Sequence, residues 1–347
     1  MLRWALVVFF CLCVDVLANS AAKEEKSETL TVYTYDALTG KNSLGEKLKN
    51  EFEKNTGVKL NLISFGSIGE ALNQIVIEDK KTKADILLGI DSSFAPRARS
   101  TNLFSVLPEK HFSELQPTIS LGKDRLFLPF DYGYLAFIYN SQRVQFKGDS
   151  SSELTLSQFI NSTDNRKRVV IEDPRTSSLG FTFLRWTQET TNSENTLKTL
   201  WKSFLPKLIT IAPSWSGAYG LFLKGEADFV LSYSTSRAYH LEKEKKSEYE
   251  VLYFKDGHPL QVEAAAVVKH SNPNKWIEPF LSLLVGSEMQ SIIPSKQWMY
   301  PARRGVSLPV TFKSLPVPKT ILLSDDFSEF DRKALIKHWS EWVTTSP

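Results

Sequence analysis

Cysteine is almost missing from this chain of 347 residues. The two that exist, Cys11 and Cys13, both fall in one N-terminal apolar segment. That segment starts after Arg3, runs from Ala5 to Leu12 and continues through Val14, Val16, Leu17 and Ala18. Asp15 interrupts it, and Asn19-Ser20-Ala21-Ala22 follows. A short basic start, an apolar run too brief to span a bilayer and a small-residue exit make a secretory signal peptide. Residues 1–20 are assigned to it, with cleavage near Ala18 to Ala22. The mature chain is then expected to have no cysteine. That excludes a disulfide, a thiolate nucleophile and a cysteine metal ligand. Neither cysteine follows the small residue that bacterial lipid attachment requires. The folded protein must therefore hold together by packing alone.

Other absences narrow the function. Lys and Arg number 42 against 39 Asp and Glu, a formal charge of +3 that leaves no electrostatic footprint for nucleic acid. Removing the leader, with Arg3 and Asp15 in it, leaves that balance unchanged. No long uncharged apolar run follows the leader, so no membrane anchor is read. The five histidines (His111, His240, His258, His270 and His338) are scattered without zinc spacing. There is no GxSxG, no P-loop and no GxGxxG. No enzyme, metal site or resident cofactor is announced, and no internal repeat is visible.

What is present is a rhythm of strand and helix. Leu30 to Tyr35 alternates and is rich in β-formers. Leu44, Leu48 and Phe52 recur at helical spacing, with Gly57 as the stop. Val58 to Ile63 is a second strand, and Ser67 with Glu70 forms a capping box for a helix carrying Ile68, Leu72 and Ile75. Ala84 to Leu88 is a third strand, closing on Gly89-Ile90-Asp91. The alternation argues an α/β fold, a parallel sheet with helices on its faces. Leu126 to Asn140 breaks the rhythm: a long aromatic strand holding Pro129 and Gly133, suited to crossing between domains. A short helix starts near Thr155. Val169 to Ile171 opens a second domain, and Glu172 to Ser178 is a loop into the next helix. Val251 to Phe254 and Gln261 to Val268 look like paired strands, the second returning the chain to the first domain. Trp276 to Val285 and Ser328 to Val343 are helical.

One stretch organises the rest, Trp215 to His240. Ser214, Trp215 and Ser216 stand at a helix start, Gly225 ends that helix, and Asp228 to Ser232 reads as a short buried strand. Tyr233, Ser234, Thr235 and Ser236 follow at its carboxyl end, with Tyr239 just beyond. In open α/β sheets ligands gather where loops leave the carboxyl ends of strands. Rings near helix ends pack into cores as readily as they touch ligands. Here it is their density beside hydroxyls that marks a binding wall. Thr176, Ser177 and Ser178 precede an apolar run, where hydroxyls and helix amides can hold an anion or simply cap the helix. Trp298 sits in a proline-bounded loop, Pro294 to Pro301.

These segments carry a resemblance. TVYTYD (31–36), KADILLGID (83–91), PFDYGYLAFIY (129–139), EDPRTSS (172–178), WSGAYGLFLKGEADFVLSYSTSRAYH (215–240), LQVEAA (260–265) and WMYP (298–301) resemble the thiamine-binding periplasmic proteins of bacterial ABC importers. The similarity spans nearly the whole mature chain. It implies the two-lobe type II periplasmic-binding-protein fold, with a ligand cleft between lobes joined by two crossover strands. Residues 29–128 with 262–310 would form lobe 1, residues 129–261 lobe 2, and residues 311–347 a C-terminal helical segment packed on the lobes. It also implies a periplasmic or secreted monomer that hands its ligand to an ABC permease and ATPase. Thiamine carries a flat cationic thiazolium, which favours aromatic faces. The resemblance places Tyr239 and Trp298 against the ligand rings with Tyr35 nearby. Trp215, Tyr233, Ser234, Thr235 and Ser236 supply further contacts, and Ser177 and Ser178 lie near the hydroxyethyl or phosphate tail. Phosphate esters of thiamine are therefore candidates too.

Two positions depart from the family pattern. Phe65-Gly66-Ser67-Ile68 stands where an acidic residue and a glycine meet the aminopyrimidine, and Asn42 replaces a ring-contacting tryptophan. Ser67 is carried over as a pocket-lining residue. Three rivals follow. A ferric-ion binder on this fold uses neighbouring tyrosines, whereas Tyr233 is followed by Ser234. A thiamine-degrading enzyme on this fold needs a cysteine nucleophile. A secreted binder without a transporter is hinted at by the sequon Asn161-Ser162-Thr163.

Overall fold

The computed structural model describes residues 28–146, 153–162, 168–323 and 327–344. The leader, the start of the charged segment after it, and Thr163 of the sequon lie outside the described residues. Nine strands carry the architecture: β1 (Thr29–Tyr35), β2 (Lys59–Phe65), β3 (Ile86–Asp91), β4 (Phe127–Asn140), β5 (Val169–Glu172), β6 (Leu208–Ala212), β7 (Phe229–Tyr233), β8 (Tyr249–Leu252) and β9 (His258–Val267). Their lateral order is β2-β1-β3-β9-β4-β7-β5-β6. The outer triplets are parallel, as the strand–helix alternation predicts: β1 with β2 and β3, β5 with β6 and β7. The centre corrects the expectation of a parallel sheet. There β9 runs antiparallel to β3 and β4, and β4 antiparallel to β7.

Strand β4 explains the mixture. Its first half, Phe127 to Tyr134, pairs with β9, and its second half, from Leu135, pairs with β7 and β8. One strand thus serves two lobes, as its length and aromatic content suggested. Pro129 cannot donate to a ladder, and the β4–β9 register shifts just there, between Pro129 and Asp131. The pairing expected between 251–254 and 261–268 does not form. Instead β8 pairs with the far end of β4, because β9 is needed to fill the gap between β3 and β4.

The apolar cores divide the same way. One contains Leu30 to Tyr134 and Leu260 to Leu315, with β1–β3 and the helix Leu44–Thr56 on it. Two more lie on the faces of the β5–β7 sheet and begin at Leu135 and Ala136. The C-terminal helix, Glu329–Thr344, seals the second: Trp339 meets Trp201 edge-on at 5.8 Å. Its Arg332 reaches the other way, donating to the Ser93 carbonyl at 3.2 Å. The tail therefore touches both lobes. No helix among the described residues is long and apolar enough to cross a membrane.

Candidate functional site

Three strand-to-helix turns end in a serine that caps the next helix. After β2, Ser67 accepts from the Glu70 N–H; after β5, Ser177 accepts from Gly180; after β6, Ser214 accepts from Gly217. Each satisfies an otherwise orphaned amide and fixes where the helix begins. Glu70 reaches back to the Gly66 N–H, so the box predicted there closes one residue early. All three turns open on one cleft of about 600 Å³ between the lobes. The carboxyl ends of β1 and β3 and of β7 reach it as well, through Tyr35, Asp91 and Tyr233.

The turn after β5 is held tightly. A Cβ added at Gly180 would sit 2.4 Å from the Glu172 carbonyl oxygen, so the Ser178–Glu189 helix packs directly on β5. Gly180→Ala is therefore expected to cost about 1–3 kcal/mol through overpacking. Urea unfolding should show the midpoint falling with an unchanged slope, and an unmoved midpoint would refute the close packing.

Most of the sequence-predicted residues converge. Tyr35, Ser67, Ser177, Ser178, Trp215, Tyr233, Ser236, Tyr239 and Trp298 all line the cleft. Ser234 and Thr235 do not. They are 1% and 0% exposed, and their hydroxyls lie buried behind the wall without hydrogen-bond partners. The strand carrying Tyr233 ends there and the chain turns inward before Ser236 returns to the cleft. Asn42 is also off the wall: it is exposed, and its N–H donates to Glu46.

The rings are braced. Trp215 donates its indole N–H to Ser232 at 2.8 Å, and its ring lies 4.9 Å from that of Tyr219. Tyr219 in turn bonds His240 at 2.8 Å, and His240 bonds Glu244 at 2.8 Å. Tyr239 meets Trp298 edge-on at 5.1 Å. Trp298 holds a left-handed backbone, φ 58°, which a bulky residue adopts only where its surroundings enforce it. Such strain is concentrated at binding sites.

Sequence reasoning missed the acids. Asp91 and Glu263 line the cleft floor, and no Lys, Arg or His is among the lining residues. Tyr35 donates to Glu263 at 2.9 Å and accepts from Gln297 at 2.8 Å. Asp91 accepts from Ser93 N–H and O–H, the Phe94 N–H and Gln261. Burial raises its carboxyl above the usual range, while hydrogen bonds from Ser178 and Ser93 pull the other way. Burial and the Asp91 charge push Glu263 up as well. The signal that could have found Glu263 was an acid at the second position of the otherwise apolar run Val262 to Val268. The two acids rise from β3 and β9, in segments that carry the resemblance, and the turn at Ser67 adds no carboxylate of its own to the floor. The floor thus carries two buried acids and the walls carry aromatic rings.

Comparison with known proteins agrees with this geometry. Residues 47–319 match the family model of bacterial extracellular solute-binding proteins. The thiamine-binding periplasmic protein of Salmonella typhimurium is 37% identical over 332 residues, covering 95% of this chain and 98% of that one. Its Escherichia coli counterpart is 36% identical, covering 95% and 97%. The solved structure of a periplasmic thiamin-binding protein superposes with a TM-score of 0.82 at 35% identity, over 91% of this chain and 96% of that one. The apo ferric ion-binding protein A of Pasteurella haemolytica shares the fold at a TM-score of 0.76 but only 16% identity. The chain belongs to the bacterial extracellular solute-binding protein family and has its two-lobe fold.

Proposed function

We propose that this protein captures thiamine, or one of its phosphate esters, in the periplasm and delivers it to the permease and ATPase of an ABC importer. One observation carries the reading: a cleft lined by Trp215, Tyr219, Tyr239 and Trp298 together with the buried carboxylates of Asp91 and Glu263, with no Lys, Arg or His among its lining residues. A flat organic cation gains from ring faces through cation–π attraction and from the acids through charge. The names of the relatives at 36–37% identity point the same way. The role is carriage without chemistry, and no cofactor is invoked. Lobe closure over the ligand, with β4 and β9 as the connections, would present the closed form to the importer.

The test is calorimetry with thiamine, thiamine monophosphate and thiamine diphosphate. Saturable one-to-one binding of at least one is expected. Absence of heat with all three, together with an unmoved melting temperature, would sink the reading. Ser177 decides the tail. Its oxygen accepts from the helix, which leaves its O–H free to donate into the cleft. Ser177→Ala should weaken a phosphate ester about tenfold or more, as befits a hydrogen bond to a charged group, and leave thiamine within about twofold.

A further inference from the structure

The row of acids beneath the cleft has a property that the reading above does not use. Asp91 on β3 faces Glu263 on β9 in register, and Glu263 faces Asp131 on β4. Facing residues on neighbouring strands share one side of the sheet, with Cβ atoms about 4.5–5.5 Å apart. Three carboxyls therefore stand side by side, exposed by 2%, 6% and 0%. They are not equally provided for. Asp91 has donors in the Ser93 N–H and O–H, the Phe94 N–H and Gln261. Glu263 has Tyr35 and Gln297. Asp131 has none: both of its oxygens are buried without a partner.

The surroundings offer little relief. Tyr35 from β1 and Tyr233 from β7 face the row as neutral phenols, held protonated by burial first and by the neighbouring acids after it. Glu172 from β5 adds another buried acid beside Tyr233. The positive charge that acts on the row is Arg332, and it acts on Asp91 at the far end. A buried carboxylate with no donor, next to a second carboxylate, costs several kcal/mol if both are charged. A proton kept within the pair lowers that cost. Burial and the Glu263 charge both drive Asp131 upward, in agreement with the geometry.

We propose that Asp131 and Glu263 hold one proton between them in the empty cleft, and that an arriving cation displaces it, so that capture releases a proton to solvent. The inference rests on the reading of the cleft as a cation site. Glu263 lines the cleft and Asp131 does not. A cation settling over Glu263 stabilises the ionised pair, the proton leaves for the buffer, and the cation takes its place in the charge balance. A neutral ring of the same shape gains nothing from ionisation and leaves the proton in place. Asp131, which never touches the ligand, thus makes the cleft's charge conditional on the ligand's charge. Affinity for the cation should rise with pH, approaching tenfold per unit while the empty pair stays protonated, and then level off.

Calorimetry of thiamine binding at pH 6.5, in two buffers of different ionisation enthalpy, counts the protons. About one released per thiamine is expected, against about none for a neutral isostere with carbon in place of the thiazolium nitrogen. Asp131→Asn, close in shape, should bind thiamine with a smaller release and a shallower pH profile, because burial and Asp91 still raise Glu263, and Glu263→Gln should lose the release. Thiamine bound by the unmodified protein without proton release overturns this proposal and leaves the carrier role standing. No binding at all overturns the carrier role. The proton can still be sought in the ligand-free protein, as an infrared carboxylic-acid band that weakens in Asp131→Asn. Absence of that band overturns the shared proton on its own.

Discussion

Replacing Trp298 with alanine is expected to weaken thiamine binding about a hundredfold, and replacing it with phenylalanine by no more than about tenfold. The ring is fixed before any ligand arrives. Its backbone is in the left-handed region, Tyr239 meets it edge-on at 5.1 Å, and Phe312 lies nearly parallel at 6.5 Å. A ligand therefore meets a face already set in place, and little ordering cost is charged against the contact. Alanine removes a cation–π contact of about 1–2 kcal/mol and apolar burial of about 1.5–3 kcal/mol. Partial overlap of these terms leaves roughly 2.7 kcal/mol, which is the hundredfold. Phenylalanine keeps a face and loses area. Titration calorimetry on the three proteins decides it, and an alanine variant within threefold of the parent would remove Trp298 from the ligand.

Glu172→Gln is expected to make the protein more stable at pH 8 and to change little at pH 4.5. Glu172 ends β5 fully buried, its carboxyl oxygens have no hydrogen-bond partner, and burial pushes it up from 4.5 to about 8. The sign follows from linkage. The folded protein keeps the proton at pH values where the unfolded chain has released it. The contribution is thus intact below about 4.5 and is lost as pH rises toward about 8. Each unit in that window removes up to about 1.4 kcal/mol. Glutamine has the same shape and no proton to lose. At pH 8 it should gain at least about 2 kcal/mol, or roughly 3 °C in melting temperature for a chain of this size. Because Asp131 and Glu263 titrate in both proteins, the readout is the difference between the two melting curves across pH 5, 6.5 and 8. Parallel pH profiles would show that Glu172 is solvated.

Much of this was legible in the sequence because local chemistry and tertiary role coincide. Ser67, Ser177 and Ser214 are each followed by a helical run, and each caps one; cap chemistry is written within four residues. The length of β4 and its aromatic content announced a strand shared by two lobes. The pairing of β8 was not legible. A short strand rich in β-formers can join any open edge, and only the arrival of β9 between β3 and β4 decides which edge is left. Ser234 and Thr235 misled for a related reason. Their composition matches that of the wall, but the turn after Tyr233 directs them behind it. Asp91, Asp131 and Glu263 escaped because no motif joins them. They are distant in sequence, and the acidic row exists only once β3, β9 and β4 lie side by side.

The position of β9 also bears on when the protein can fold. Gln261 and Asp91, hydrogen-bonded across the sheet, are 170 positions apart in the chain. The strand that joins the two halves of the sheet is the last of the nine to be synthesised. Until it emerges, β3 and β4 present open edges to each other across a gap, and the first lobe has no complete core. Contacts this remote in sequence form slowly, because a long loop must close before they stabilise anything. A chain cut short before β9 would leave the edges of β3 and β4 unpaired and the first lobe without residues 260–315 of its core.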